Sequence, residues 1–311
     1  MPSNQSPLGA LPARFRRERL LIVGCGDVGM RVVRRIGRPT RVMALTSSVA
    51  RVGELRAAGV TPLIGNLDEQ VSLTRLAGIA TRVVHLAPPT SEPGDLWWRD
   101  MRTVALLRAL RRRTTPVSLV YGSTSGVYGD CGGAWVSEAV LPKPSTPRAQ
   151  RRADAESAIR HFGRAAHVRA SILRIPGIYA PDRVGGTPRG RLLKGTPVLR
   201  AEDDVYTNHI HADDLARAVI AALWRGRPQR VYNVNDDTVL KMGDYFDLAA
   251  DLYGLPRPPR VPRSAAQAEM PLMLLSFMSE SRRLLNARMK TELRLKLTHP
   301  TAQTGLLPSP Q

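Results

Sequence analysis

Leu20-Leu21-Ile22-Val23-Gly24-Cys25-Gly26-Asp27-Val28-Gly29 is the stretch whose reading decides the fold. A short apolar run reads as a buried strand. It passes straight into Gly24-x-Gly26-x-x-Gly29 and then into a segment with Val28, Val32, Val33 and Ile36 at helical spacing. The order is strand, tight turn, helix. In that order Gly24 allows the turn, Gly26 lets a pyrophosphate approach the backbone, and Gly29 lets the helix pack on the strand. The unpaired N–H groups at the helix start would hold the phosphate charge. A Gly-rich turn without a ligand is the plain alternative, and the flanking strand and helix favour a dinucleotide site.

Outward from this unit the chain alternates strand and helix. Arg41–Leu45 reads as a second strand, Val52–Ala58 as a short helix closed by Gly59, and Val60–Ile64 as a third strand. Gly65-Asn66-Leu67-Asp68 is a turn where Asn66 and Leu67 can meet an adenine. Arg82–Ala87 is the fourth strand, stopped by Pro88-Pro89, Leu96–Arg113 a long helix, and Ser118–Tyr121 the fifth strand. This alternation predicts an α/β, Rossmann-type doubly wound parallel sheet, with the ligand outside the carboxyl ends of its strands. Gly24–Gly29, Thr46–Ser48, Ala87–Pro89 and Gly122–Gly129 should therefore share one crevice. The pattern then loosens: helix Pro147–Ala166, strand Ala170–Arg174, a Pro/Gly-rich loop Pro176–Pro188, a strand at Asn208–His211 before Asp213-Asp214, strand Arg230–Val234, and helices Lys241–Tyr253 and Met278–Leu293. The division expected is a tail over 1–18, a dinucleotide-binding domain over 19–175, and a smaller C-terminal substrate lobe over 176–305. Segments around 205–235 are expected to return to the main sheet.

Composition excludes several classes. Hydrophobic residues make up 43% and charged residues 23%, as in globular chains. No apolar run reaches the ~18 residues that span a bilayer. The net charge of +20 is carried almost wholly by arginine, with lysine only at Lys143, Lys194, Lys241, Lys290 and Lys296. These arginines are scattered over the helices rather than interleaved with aromatics in one tract, which argues against a nucleic-acid partner. Cys25 and Cys131 form neither a disulfide framework nor a metal set, so free thiols, no metal and a cytoplasmic location are expected.

The later motifs carry a resemblance. Tyr121-Gly122-Ser123-Thr124-Ser125-Gly126-Val127-Tyr128-Gly129-Asp130 resembles the Ser-Ser/Thr-x-x-Val-Tyr-Gly segment of extended short-chain dehydrogenase/reductases, the NAD-dependent epimerase/dehydratase family. His85-Leu86-Ala87, Leu173-Arg174-Ile175-Pro176-Gly177-Ile178-Tyr179, Asn208-His209-Ile210-His211-Ala212-Asp213-Asp214 and Tyr232-Asn233-Val234 resemble further motifs of that family, in order. Arg282-Arg283 with Asn286, and the closing Pro300–Leu306, make the chain most similar to its atypical bacterial YeeZ-like subgroup. The resemblance implies an oxidoreductase, epimerase or dehydratase acting on a sugar or nucleotide sugar. It adds Leu86, Ala87, Pro88 and Pro176 to the cofactor contacts, beside Gly24, Gly26, Asp27, Val28, Gly29, Asn66 and Leu67.

One departure bears on the chemistry. In the family, a Tyr-x-x-x-Lys pair exchanges the proton and holds the ribose, usually within Ser-Pro-Tyr-x-x-Ser-Lys-x-x-x-Glu. Here Thr146-Pro147-Arg148-Ala149-Gln150-Arg151-Arg152-Ala153-Asp154-Ala155-Glu156 puts Arg148 and Arg152 in those two places. A guanidinium with a pKa above ~12 is neither acid nor base near neutrality, although Arg152 can still bind a ribose or phosphate. Thr124 matches the substrate-binding Ser/Thr. Tyr128, Tyr179, His209 and His211 are the alternative proton donors, each more simply read as packing. A dinucleotide-responsive sensor or scaffold is the second reading. The second strand ends in Leu45-Thr46-Ser47-Ser48 with no acid before Glu54, and Arg51 lies within a turn, so NADP is expected over NAD. Arg174 and Arg183 suggest an anionic small-molecule substrate, and a homodimer is compatible with such a chain.

Overall fold

The computed structural model describes residues 18–37, 40–90, 95–269, 275 and 278–307. The tail expected over the first residues lies outside these, except for Glu18, which pairs with Arg82.

Seven strands form one parallel sheet: β1 (Arg19–Val23), β2 (Arg41–Thr46), β3 (Thr61–Ile64), β4 (Arg82–His85), β5 (Ser118–Thr124), β6 (Arg169–Ile175) and β7 (Arg230–Asn233), in the order β7-β6-β5-β4-β1-β2-β3. Leu20 and Ile22 face one layer of core and Leu21 and Val23 the other, so β1 has no wet face and its sequence is apolar without alternation. Helices α1 (Asp27–Arg35) and, much later, α5 (Ala212–Arg225) pack on one face. Helices α3 (Met101–Leu110) and α4 (Pro147–Ala165) cover the other. Between β2 and β3 runs the short α2 (Val52–Ala57). Strand order reverses between β1 and β4, so the ligand crevice of such a sheet opens above these two strands. A separate core gathers Tyr179, Leu192, Val198, Tyr245 and Phe246 around α6 (Met242–Tyr253).

Three local expectations are corrected. Residues 96–99 are a turn, and α3 starts only after Asp100, whose carboxylate accepts from the Thr103 N–H and sets the cap. Residues 278–286 are not helical: Arg283–Leu284 pairs with Trp135–Val136, and helix is confined to Ala287–Glu292. The Arg283 guanidinium lies 4.9 Å from the Trp135 ring centre and 4.7 Å from that of Tyr206, a non-local contact that outweighs helical spacing. Within the Pro/Gly-rich loop, Gly177–Tyr179 forms a short strand beside His209–His211.

Candidate dinucleotide site

The turn after β1 is held against the exit of β4. The Val23 carbonyl accepts from the Leu86 N–H at 2.7 Å and the Ala87 N–H at 3.1 Å. Gly24 has φ +84°, and a Cβ there would lie 2.3 Å from the Ala87 nitrogen. A Cβ on Gly29 would press the Cys25 sulfur at 3.2 Å. Gly26 differs, since a Cβ would meet nothing within 4 Å. Among the described residues no side chain caps α1, so its first N–H groups are left for a ligand, and these residues fit a pyrophosphate. Cys25 itself is inert, because burial pushes its thiol up to about 11.

At the exit of β2, Ser47 and Ser48 are exposed, but Thr46 is not available as expected. Its hydroxyl donates to the Ser48 carbonyl and accepts from the Ser48 N–H, both at 3.2 Å, closing the turn on itself. Arg51 reaches back to the glycine turn, donating to the Cys25 carbonyl at 2.6 Å, while Glu54 holds its other nitrogens at 3.1 Å. Asn66 likewise serves its own turn, accepting from the Asp68 N–H. Leu67 is buried, and Pro88 is exposed beside the turn.

Thr124 ends β5 and accepts from the Gly126 N–H at 3.2 Å, leaving its hydroxyl proton uncommitted among the described residues. Arg148, on the first turn of α4, has no hydrogen-bond or ion-pair partner among the described residues. The residue is exposed overall, yet partial burial of the guanidinium, and then the charges of Arg152 and Arg151, hold its pKa below the ordinary arginine value. Arg152 is 7% exposed, and one terminal nitrogen donates to the Gly122 carbonyl at 2.6 Å and the Tyr121 hydroxyl at 3.1 Å. Its second terminal nitrogen has no partner among the described residues.

Two expectations are corrected here. Tyr128 is 1% exposed and its hydroxyl donates to Asn233 Oδ1 at 2.7 Å, so it serves as a buried strut and not as an exposed proton donor. Arg174, 1% exposed, does not face a substrate but forms a bidentate pair with Glu156, which also accepts from Ser123. Tyr179 is spent on Asp236 and the Thr301 carbonyl.

Sequence reading missed a charge hub at the flank of the glycine turn. Arg31, 3% exposed, touches Asp27 at 3.1 Å, Asp182 at 2.6 Å and Asp213 at 2.5 Å, joining α1, the loop after Tyr179 and the start of α5. Only the Asp27/Arg31 spacing of four was legible locally. His211, Asp213 and His299 present three ligand atoms within 4.8 Å of one another. Both oxygens of Asp213 already meet Arg31 and Arg35, and His211 Nδ1 accepts from the Asp213 N–H, so an added divalent charge would face two guanidiniums. A recess of about 230 Å³ away from the turn is lined by Trp135, Asn208, Asp236, Arg283 and Asn286.

Buried titrating groups predict acid sensitivity. Burial lowers His85 and His209 to about 3 and His211 to about 4, while burial raises Asp236 to about 7. The histidine contributions are full above the unfolded value of 6.5 and are lost as pH falls towards the folded values. Asp236 acts oppositely, its contribution being present at low pH and lost as pH rises through 7. Of these four groups the histidines take up three protons on unfolding and Asp236 releases one, so between about pH 6 and about pH 4.5 their combined share of the stability should fall by about 3 kcal/mol per pH unit. Denaturant titrations across that window check the slope. His209→Phe, which keeps a ring stacked on Tyr245, should lower the slope by about one proton, or about 1.4 kcal/mol per pH unit, and an unchanged slope contradicts the assignment.

Comparison with known proteins agrees with this geometry. No curated protein matches the sequence. Among solved structures, a functionally unknown conserved protein from Silicibacter pomeroyi is 28% identical, with TM-score 0.76 over 93% of this chain and 96% of that one. The UDP-glucuronic acid 4-epimerase from Bacillus cereus, solved with NAD, is 18% identical, with TM-score 0.73 over the same shares, 93% and 96%. The UDP-glucose 4-epimerase from Thermotoga maritima, solved with UDP-glucose, is 18% identical with TM-score 0.75, again over 93% and 96%. At these identities the two epimerases speak for the fold alone. The family model described as the NAD dependent epimerase/dehydratase family matches residues 20–235, from β1 through β7 with the glycine turn and the crevice between, and the chain belongs to that family.

Proposed function

We propose that the chain binds NADP at the glycine turn and acts as an oxidoreductase, epimerase or dehydratase on an anionic, sugar-like or nucleotide-sugar-like substrate, without the usual tyrosine. The observation that carries the substrate reading is Arg148, a partly desolvated guanidinium with no partner among the described residues at the position of the proton donor. When bound, the dinucleotide supplies or accepts hydride. Arg148 would hold a carboxylate or phosphate by paired, charge-assisted bonds, and Thr124 would donate its free hydroxyl proton. Membership of the NAD dependent epimerase/dehydratase family supports this reading. Turnover of NADPH or NADP over a panel of nucleotide sugars and small carbonyl compounds is the test. Tight dinucleotide binding with no turnover on any member favours the sensor reading, which rests on Arg148 and Arg152 replacing the acid–base pair.

Loss of Arg148 and loss of Arg152 should be separable. Arg148→Ala is expected to leave dinucleotide affinity within a few-fold, because the side chain faces substrate. Arg152→Ala should weaken it roughly ten- to a hundred-fold and also lower the melting temperature, since it removes the brace on Gly122 and Tyr121. Calorimetric titration and thermal melts of both variants check this, and equal affinities would refute the register on α4.

Cofactor preference rests on Ser47, Ser48 and Arg51. The exposed hydroxyls suit a 2′-phosphate, Arg51 adds positive charge beside them while holding Glu54 and the Cys25 carbonyl, and no carboxylate ends β2 to repel the phosphate. Because the Thr46 hydroxyl serves its own turn, the charge reversal belongs at exposed Ser47. NADP should bind more tightly than NAD, and Ser47→Asp should reverse the order. NAD binding as tightly as NADP to the parent chain in parallel titrations sinks this reading.

A further inference from the structure

We propose that Arg183, on the loop after Tyr179, binds the pyrophosphate of a dinucleotide on the glycine turn and thereby closes that loop over the cofactor; the proposal rests on the dinucleotide reading of the crevice. Asp27 opens α1, where a pyrophosphate would lie, and an uncompensated carboxylate there would repel it. Its two oxygens are covered differently. Oδ1 meets Arg31 at 3.1 Å, and Arg31 is locked at 3% exposure by Asp182 and Asp213 as well. Among the described residues Oδ2 meets only Arg183 Nε, at 3.6 Å, longer than a hydrogen bond. One terminal nitrogen of Arg183 donates to the Ile178 carbonyl at 3.1 Å, and the other has no partner among the described residues. A loosely held guanidinium therefore stands beside Asp27, the residue that follows Gly26, the one glycine of the turn with open space next to it.

The loop is built to carry this contact. Arg183 N–H donates to the Ala180 carbonyl and Gly186 N–H to the Arg183 carbonyl, so Arg183 heads a compact turn. Neighbouring Asp182 anchors that turn to α1 through Arg31 at 2.6 Å. The anchor fixes the distance from the loop to the phosphate site, and the Arg183 side chain needs only to exchange a weak carboxylate contact for a fork on phosphate.

Titrating the full chain with NADP, and separately with inorganic pyrophosphate, tests this. Arg183→Ala should weaken both ligands roughly ten- to a hundred-fold while its melting temperature stays that of the parent, and Arg183→Lys, which keeps charge but not the fork, should fall between. In the parent chain, tryptic cleavage after Arg183 should slow when NADP is added. NADP affinity of Arg183→Ala within two-fold of the parent overturns the proposal, as does a weakening seen with NADP but not with pyrophosphate. A parent chain that binds neither dinucleotide refutes the crevice reading and this proposal together, whereas binding that ignores residue 183 refutes this proposal alone.

Discussion

Glu156→Ala is expected to destabilise the protein by about 3–5 kcal/mol, because it strands a buried guanidinium. Arg174 and Glu156 are 1% and 2% exposed, and they meet through Nε at 3.0 Å and a terminal nitrogen at 2.7 Å. The same carboxylate accepts the Ser123 hydroxyl at 2.7 Å, so α4, β5 and β6 converge on one side chain. Without it, the partner left to Arg174 among the described residues is Tyr128, whose ring centre lies 4.5 Å from the guanidinium carbon. Urea denaturation measures the loss. Replacing both partners, Glu156→Leu with Arg174→Met, should recover most of it, because an apolar pair has no charge to desolvate. A single-variant loss below about 1 kcal/mol is the value of an exposed pair and would contradict the burial.

Gly24→Ala should be at least as damaging, at about 4 kcal/mol or more, since it combines positive-φ strain with a backbone collision. The new methyl would stand 2.3 Å from the Ala87 nitrogen and 2.6 Å from its Cα, and main chain cannot turn aside as a rotamer can. β1 and β4 would separate at the reversal point of the sheet, and dinucleotide binding would go with them. Gly26→Ala gives the contrast. It meets nothing in the protein, so its melting temperature should match the parent, while its methyl fills the space beside the free N–H groups and dinucleotide affinity falls. Thermal melts with titrations of both variants separate the two roles. Equal stability of the two variants would mean that Gly24 is not pressed against Ala87.

By itself, the sequence determined the first unit, the parallel sheet and the family, because these rest on local periodicity and on glycine spacing that a few consecutive residues carry. Leu20–Val23 reads as a buried strand, and it is one, with core on both faces. That Pro147 opens a helix carrying Arg148 and Arg152 was equally legible. What the side chains do there was not. Whether an arginine faces a ligand or a buried carboxylate depends on which distant residue the fold brings to it. Arg174 turned inward to Glu156, Tyr128 to Asn233, and the Thr46 hydroxyl to its own turn. Residues 278–286 had helical spacing, yet pairing with Trp135–Val136 took them out of helix, since partners so far apart in sequence outweigh a weak local preference. The Arg31 hub is the clearest case. Asp182 and Asp213 are 151 and 182 residues from Arg31, and no local pattern marks ion pairs that only the closed tertiary structure brings together.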